Sequence, residues 1–122
     1  MNGLYDLPNL VRNPGAKHAQ WKQEYGDFIR AAFGDDEIVW KEVSPISVQN
    51  WVEEWGRKDG RIILVQSKED SLVPYWQTEN MREALKQSNI DVSEMEDWHD
   101  HDEIWEKGDR LAEIVAEAIR KI

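Results

Sequence analysis

Along the second half of the chain the apolar positions change period repeatedly, and each change predicts an element. Residues 62–65 (Ile-Ile-Leu-Val) form a continuous aliphatic run, the pattern of a strand covered on both faces within a parallel sheet. Pro74 ends the loop that follows, and Met81, Ala84 and Leu85 then mark one face of a helix over 75–87. Residues 90–95 alternate imperfectly and predict a second strand. Beyond them Ile104, Leu111, Ile114, Val115, Ala118, Ile119 and Ile122 line one face of a single long helix. Glu106 with Arg110, and Glu117 with Lys121, are placed to pair across one turn of it. Strand, helix, strand, helix is a βαβα unit with a right-handed crossover, which puts the chain in the α/β class.

The first half reads differently. Trp21, Tyr25, Phe28, Ile29 and Ala32 recur at helical spacing over 17–33, with Gly34 where a C-cap would stand. Asp35, Asp36 and Glu37 precede Ile38, Val39 and Trp40, which predicts a short helix with carboxylates at its positive end. Ser44-Pro45 breaks that pattern, and Trp51, Val52 and Trp55 fit one more helical turn before a polar loop at 57–60. Pro8 and Pro14 leave Leu4, Leu7, Leu10 and Val11 room for at most a short turn of helix. No strand is expected in residues 1–60. There is no internal repeat.

Two parallel strands make a poor sheet by themselves, because both edges stay open and the apolar run at 62–65 lacks neighbours. The expectation is therefore a partial domain over 1–122. Residues 1–60 are its mostly helical, connecting or lid-like segment, and 61–122 carry its last two strands and helices. The remaining strands would come from a longer polypeptide or a partner chain.

Composition narrows the function classes. Fifteen Lys and Arg against 25 Asp and Glu give a net charge of −10, with no basic cluster, which argues against nucleic acid as a partner and against an anionic membrane surface. The absence of cysteine removes disulfides, thiolate metal sites and cysteine nucleophiles together. The opening residues have neither the basic region nor the apolar core of a signal peptide, so a soluble cytoplasmic protein is expected. Seven tryptophans require a large core or an aromatic pocket.

Candidate chemistry sits in the loops after the two strands. In open α/β sheets, ligands bind outside the carboxyl ends of the strands, so the loops at 67–74 and 97–101 should share one rim. Asp70 lies in the first and His101 in the second. A buried Asp70 carboxylate there would hold one imidazole nitrogen and steady the cation formed when the other takes a proton. Acid then base, each after a strand, is the order in which α/β-hydrolases complete a Ser…Asp…His triad. No Gly-x-Ser-x-Gly occurs in the chain, and Ser44, Ser67 and Ser71 do not sit on a strand-to-helix elbow. Read separately, Asp70 is a helix cap and His101 part of a solvated acidic loop; their order and shared rim favour catalysis. A metal site at His99, Asp100, His101 and Asp102 is disfavoured, because neighbours in an extended loop point to opposite sides. His18 is expected to be remote, on the exposed side of a helix. No cofactor or metal is expected.

The stretch GRIILVQSKEDSLVPYWQTENMREAL resembles the acid-bearing strand and loop of α/β-hydrolases, ending in their Asp-x-x-Val-Pro pattern. Together with NGLYDLPNLV, AFGDDEIVWKEVSP and HDHDEIWE, it resembles the C-terminal half of fungal-type kynurenine formamidases. That resemblance spans nearly the whole chain. It implies the C-terminal portion of an α/β-hydrolase fold, with Asp70 as triad acid and His101 as triad base. The implied activity of the complete enzyme is hydrolysis of N-formylkynurenine to kynurenine and formate in tryptophan breakdown. The nucleophilic serine and the His-Gly-Gly oxyanion loop of that family have no counterpart here, so the chain alone should not hydrolyse a formyl aromatic amide or ester by this route. A generic esterase or amidase, and a non-catalytic remnant, are the competing expectations. The aromatic segment 40–55 is a candidate pocket wall or lid.

Overall fold

The computed structural model describes residues 1–55 and 61–121, without the side chains of Glu54 and Trp55. The expected polar loop at 57–60 and the expected packing of Ile122 lie outside the described residues. Two strands, β1 (Arg61–Ser67) and β2 (Asp91–Asp97), pair in parallel with Ile62 opposite Val92 and Val65 opposite Met95. A helix, α5 (Trp76–Gln87), connects them. The chain is thus mixed helix and strand with a parallel sheet, as an α/β reading requires. Among the described residues of 1–60 there is no strand. Four short helices occur there: α1 (Leu7–Arg12), α2 (Lys22–Phe33), α3 (Glu37–Val43) and α4 (Trp51–Trp55). No described helix is long and apolar enough to cross a membrane.

Strand alternation sends successive side chains to opposite faces, and the sheet uses both. Leu64 faces α5 and packs with Met81, Leu85 and Ile90, with Ile62 and Val92 at the rim. Val65 and Met95 face the other way, onto Ile104 and Ile114. A further core joins α1, α2 and α3 through Leu7, Leu10, Tyr25, Ile29 and Trp40, with Trp76 of α5 packed against it. Trp40 is therefore a core residue. Its indole N–H donates to the Gly34 carbonyl at 2.8 Å.

Buried amides tie these layers together. Gln77 is fully buried; its Oε1 accepts the backbone N–H groups of Tyr5 and Asp6, each at 2.8 Å, and its Nε2 donates to the Asp6 carbonyl at 3.0 Å. Gln66, in β1, donates to the Val73 carbonyl at 2.9 Å and accepts from the Thr78 hydroxyl. The chain's first residues lie beside β1: Asn2 donates its backbone N–H to the Val65 carbonyl at 2.9 Å.

Three local expectations are corrected. The helix expected from residue 17 begins as a 3₁₀ segment, Ala16–Trp21, and becomes α-helical only at Lys22. Within α2, Phe28 and Ala32 face outward, while Tyr25 and Ile29 take the core positions. The single C-terminal helix is in fact two, α6 (Glu103–Lys107) and α7 (Asp109–Arg120), broken at Gly108, whose φ of 73° is left-handed. That break takes residues 106 and 110 off a common face. Arg110 instead donates to the Glu96 carbonyl, pairs with Glu113 at 3.1 Å, and lies over the Trp98 ring. Within α7, Val115 and Ile119 are exposed, the latter 63%, while Ile114 is buried. Glu117 and Lys121 do pair, at 2.6 Å.

Candidate active site

β1 ends at Ser67, and the loop beyond it is wound around one carboxylate. Asp70 is 1% exposed, and its Oδ1 accepts the backbone N–H groups of Leu72 at 2.9 Å and Val73 at 2.8 Å. The side chain thus shapes its own loop. It does not cap α5, whose N-cap is Tyr75 with no side-chain bond. Oδ2 faces His101, which sits in the loop after β2, with Nδ1 2.9 Å away. A carboxylate only accepts, so Nδ1 carries a proton, and it is the Nε2 side of the ring that is left to exchange one. Asp70 and His101 are in contact across 31 residues of sequence, with the His101 side chain partly open to solvent.

The acid loop is clamped from a direction the residue pattern did not indicate. Four side chains from 17–25 donate to its main-chain carbonyls in succession. Lys17 Nζ reaches Lys68 at 2.9 Å, His18 Nε2 reaches Asp70 at 2.9 Å, Trp21 Nε1 reaches Ser71 at 3.0 Å, and the Tyr25 hydroxyl reaches Leu72 at 2.7 Å. His18 is accordingly buried beside the candidate acid, not remote and exposed as expected. Because a carbonyl only accepts, its Nε2 bears the proton. Burial and the negative charge of Asp70 together push the Tyr25 hydroxyl up to about 12, so it remains a donor. The 3₁₀ start contributes to this placement: its tighter winding rotates His18 away from where an α-helix would put it.

A second staple holds the two loops to each other. Asp100 Oδ1 accepts the backbone N–H of Ser71 at 2.8 Å and of His101 at 2.7 Å. These bonds, with the Ser71 hydroxyl and the nearby His101, hold its carboxyl at about 2, below the ordinary 3.8. A depressed carboxylate stabilises the fold above its ordinary value, and that contribution is lost as pH falls through the folded value. Asp100→Asn keeps an oxygen acceptor without the charge. Its thermal midpoint should therefore fall less steeply than that of the parent chain as pH drops from about 4 to about 2. Parallel melting curves across that window would remove Asp100 from the staple.

His99 has its own partner, Asp97, with Nδ1 at 2.6 Å from Oδ1, and its ring stacks on Trp98. The histidines at 99 and 101 therefore serve different carboxylates. Among the described residues, no three His, Asp or Glu side chains gather as a metal ion would require. Ser44, Ser67 and Ser71 are engaged in structural roles. Ser44 is buried between the Leu7 N–H and the Trp40 carbonyl, Ser67 accepts the Glu69 N–H, and Ser71 binds Asp100.

His101 opens onto a cavity of about 360 Å³. Trp21, Tyr25 and Phe28 line it with Leu4, Leu72 and Val73, and Asn2 and Glu24 join His101 as its more polar lining. Its aromatic wall thus comes from 21–28. The signal available in sequence was the spacing 21, 25, 28, which serves both a core face and a pocket wall.

No protein-family model matches the chain, and no solved structure does. Over 123 aligned positions covering 96% of its length, the chain is 33% identical to "Kynurenine formamidase-like hydrolase fscH" of Fusarium equiseti. It spans 38% of that protein's length. The similarity relates this chain, along nearly all of it, to a hydrolase.

Proposed function

We propose that the chain supplies the acid and the base of a serine hydrolase of the kynurenine formamidase kind, within an α/β-hydrolase fold completed by polypeptide outside these 122 residues. The observation that carries this reading is the buried Asp70 carboxylate on His101 Nδ1, with His101 lining an aromatic cavity. The similarity to a kynurenine formamidase-like hydrolase supports the same assignment.

The chemistry follows from that pair. A serine from outside the chain attacks the formyl carbon while His101 Nε2 takes its proton, and Asp70 steadies the resulting imidazolium. Backbone N–H groups, also from outside, hold the oxyanion. His101 returns the proton to the departing aromatic amine. Water then attacks the formyl-enzyme ester with His101 again as base, and formate leaves with the serine restored. The two-stranded sheet, whose strands run Ile62 to Val65 beside Val92 to Met95, and the exposed Val115 and Ile119 support further strands and helices packing here.

The test is hydrolysis by the complete polypeptide of N-formylkynurenine against p-nitrophenyl esters of similar size. Preference for the formyl amide supports the formamidase reading. Equal rates make the protein a generic esterase. Absence of both activities, in a complete polypeptide holding a nucleophile elbow, leaves a non-catalytic remnant.

A further inference from the structure

We infer that Asn2 is a positioning residue for His101, anchoring the main chain of the base from beside β1. The role rests on the reading of His101 as the base and deepens it. His101 lies between β2 and α6 and belongs to neither, so no ladder or helix holds its main chain. Its backbone N–H donates to Asp100 Oδ1 at 2.7 Å, and its Nδ1 meets Asp70 Oδ2 at 2.9 Å. Its carbonyl, which among the described residues receives no main-chain donor, accepts from Asn2 Nδ2 at 3.1 Å across 99 residues of sequence. A bond from ring to acid fixes the imidazole only while the backbone beneath it stays in place. Asp100 and Asn2 secure that backbone on either side of the His101 Cα.

Asn2 is itself firmly placed. Its backbone N–H donates to the Val65 carbonyl of β1 at 2.9 Å. Its φ of 46° is left-handed, a region that asparagine enters more readily than most residues. The Tyr5 ring lies over Gly3, where a Cβ would overlap it, and the N–H groups of Tyr5 and Asp6 are held by the buried Gln77. The segment is thus tied down on both sides of the left-handed turn that presents the amide to the base loop. Glycine would satisfy the backbone at position 2 equally well; only a side-chain donor reaches the His101 carbonyl.

Asn2→Gly and Asn2→Ala, made in the 122-residue chain, separate the amide from the backbone. Glycine keeps the left-handed turn without steric cost, alanine does not, and neither can donate to the carbonyl. The readout is the ratio of the two neutral tautomers of His101, taken from ring nitrogen shifts at a pH where the histidines are uncharged. Loss of one net hydrogen bond from the loop should move that ratio about two- to tenfold from Nδ1–H toward Nε2–H, in Asn2→Gly as in Asn2→Ala. His99 serves as the internal reference. Its Nδ1 is held by Asp97 at 2.6 Å, so its ratio should keep the parent value in both variants. An unmoved His101 ratio in Asn2→Gly overturns the inference, whether or not Asn2→Ala moves it, because the backbone and not the amide would then matter. A His99 ratio that moves in step with His101 overturns it too, since the effect would be general loosening. Hydrolysis by the longer polypeptide reads a separate quantity. A shifted His101 ratio without turnover would keep Asn2 as the anchor of this loop and remove the hydrolase, whereas turnover with an unmoved ratio would do the reverse.

Discussion

Asp70→Asn should leave the chain close to its parent stability while moving the proton on His101 from Nδ1 to Nε2. The substituted side chain retains an oxygen for the Leu72 and Val73 N–H groups, which Oδ1 now holds at 2.9 and 2.8 Å. Its amide nitrogen replaces Oδ2, which stands 2.9 Å from the ring, and a donor there requires the facing imidazole nitrogen to accept. The ring nitrogen shifts in two-dimensional ¹⁵N spectra report the tautomer directly. If the proposed function holds, the same change in the longer polypeptide should cost about ten-thousandfold in turnover, the size seen when a triad base elsewhere is forced into the wrong tautomer. Asp70→Ala is the contrasting variant. It strands the two backbone donors, and at about 1–3 kcal/mol for each orphaned buried group it should cost about 2–6 kcal/mol, the partly exposed ring being able to turn to water. If Asp70→Asn is as destabilising as Asp70→Ala, or leaves Nδ1 protonated, the carboxylate is not what sets His101.

The second large effect is expected in the core. Leu85 is fully buried against Leu64, Met81 and Ile90, where α5 meets the sheet. Leu85→Ala should lose about 2–5 kcal/mol through lost burial and the cavity left behind. Against a total stability of about 5–15 kcal/mol for an ordinary domain, that is a large share, and a chain with two strands has less to spare. Denaturant titration followed by far-ultraviolet circular dichroism measures it. A loss below about 1 kcal/mol would mean that α5 and the strands are not one cooperative unit.

How much of this was readable depends on the kind of interaction. The two strands and the helix between them declare themselves through apolar period, since 62–65 and 90–95 are bounded by polar and proline-containing loops. Asp70 and His101 could be singled out because strand direction alone puts both loops on one rim. The clamp could not, because Lys17, His18, Trp21 and Tyr25 bind main-chain carbonyls, and a carbonyl is present at every position. The stripe 21, 25, 28 was visible, but its periodicity is the same for a core face and for a pocket wall. The split at Gly108 was hidden for another reason. One glycine within a helical pattern is tolerated at a cost of about 1 kcal/mol, so it signals a break only when its φ is known.

Donors that grip carbonyls instead of side chains have a consequence for how this loop can vary. At positions 68, 71 and 72 nearly any side chain can be exchanged without releasing the grip, because what is held is common to all amino acids. Substitution at 18, 21 or 25 has no such freedom. Tolerance in a saturation library should therefore be lopsided, generous on the gripped segment and narrow on the gripping one, fifty residues upstream.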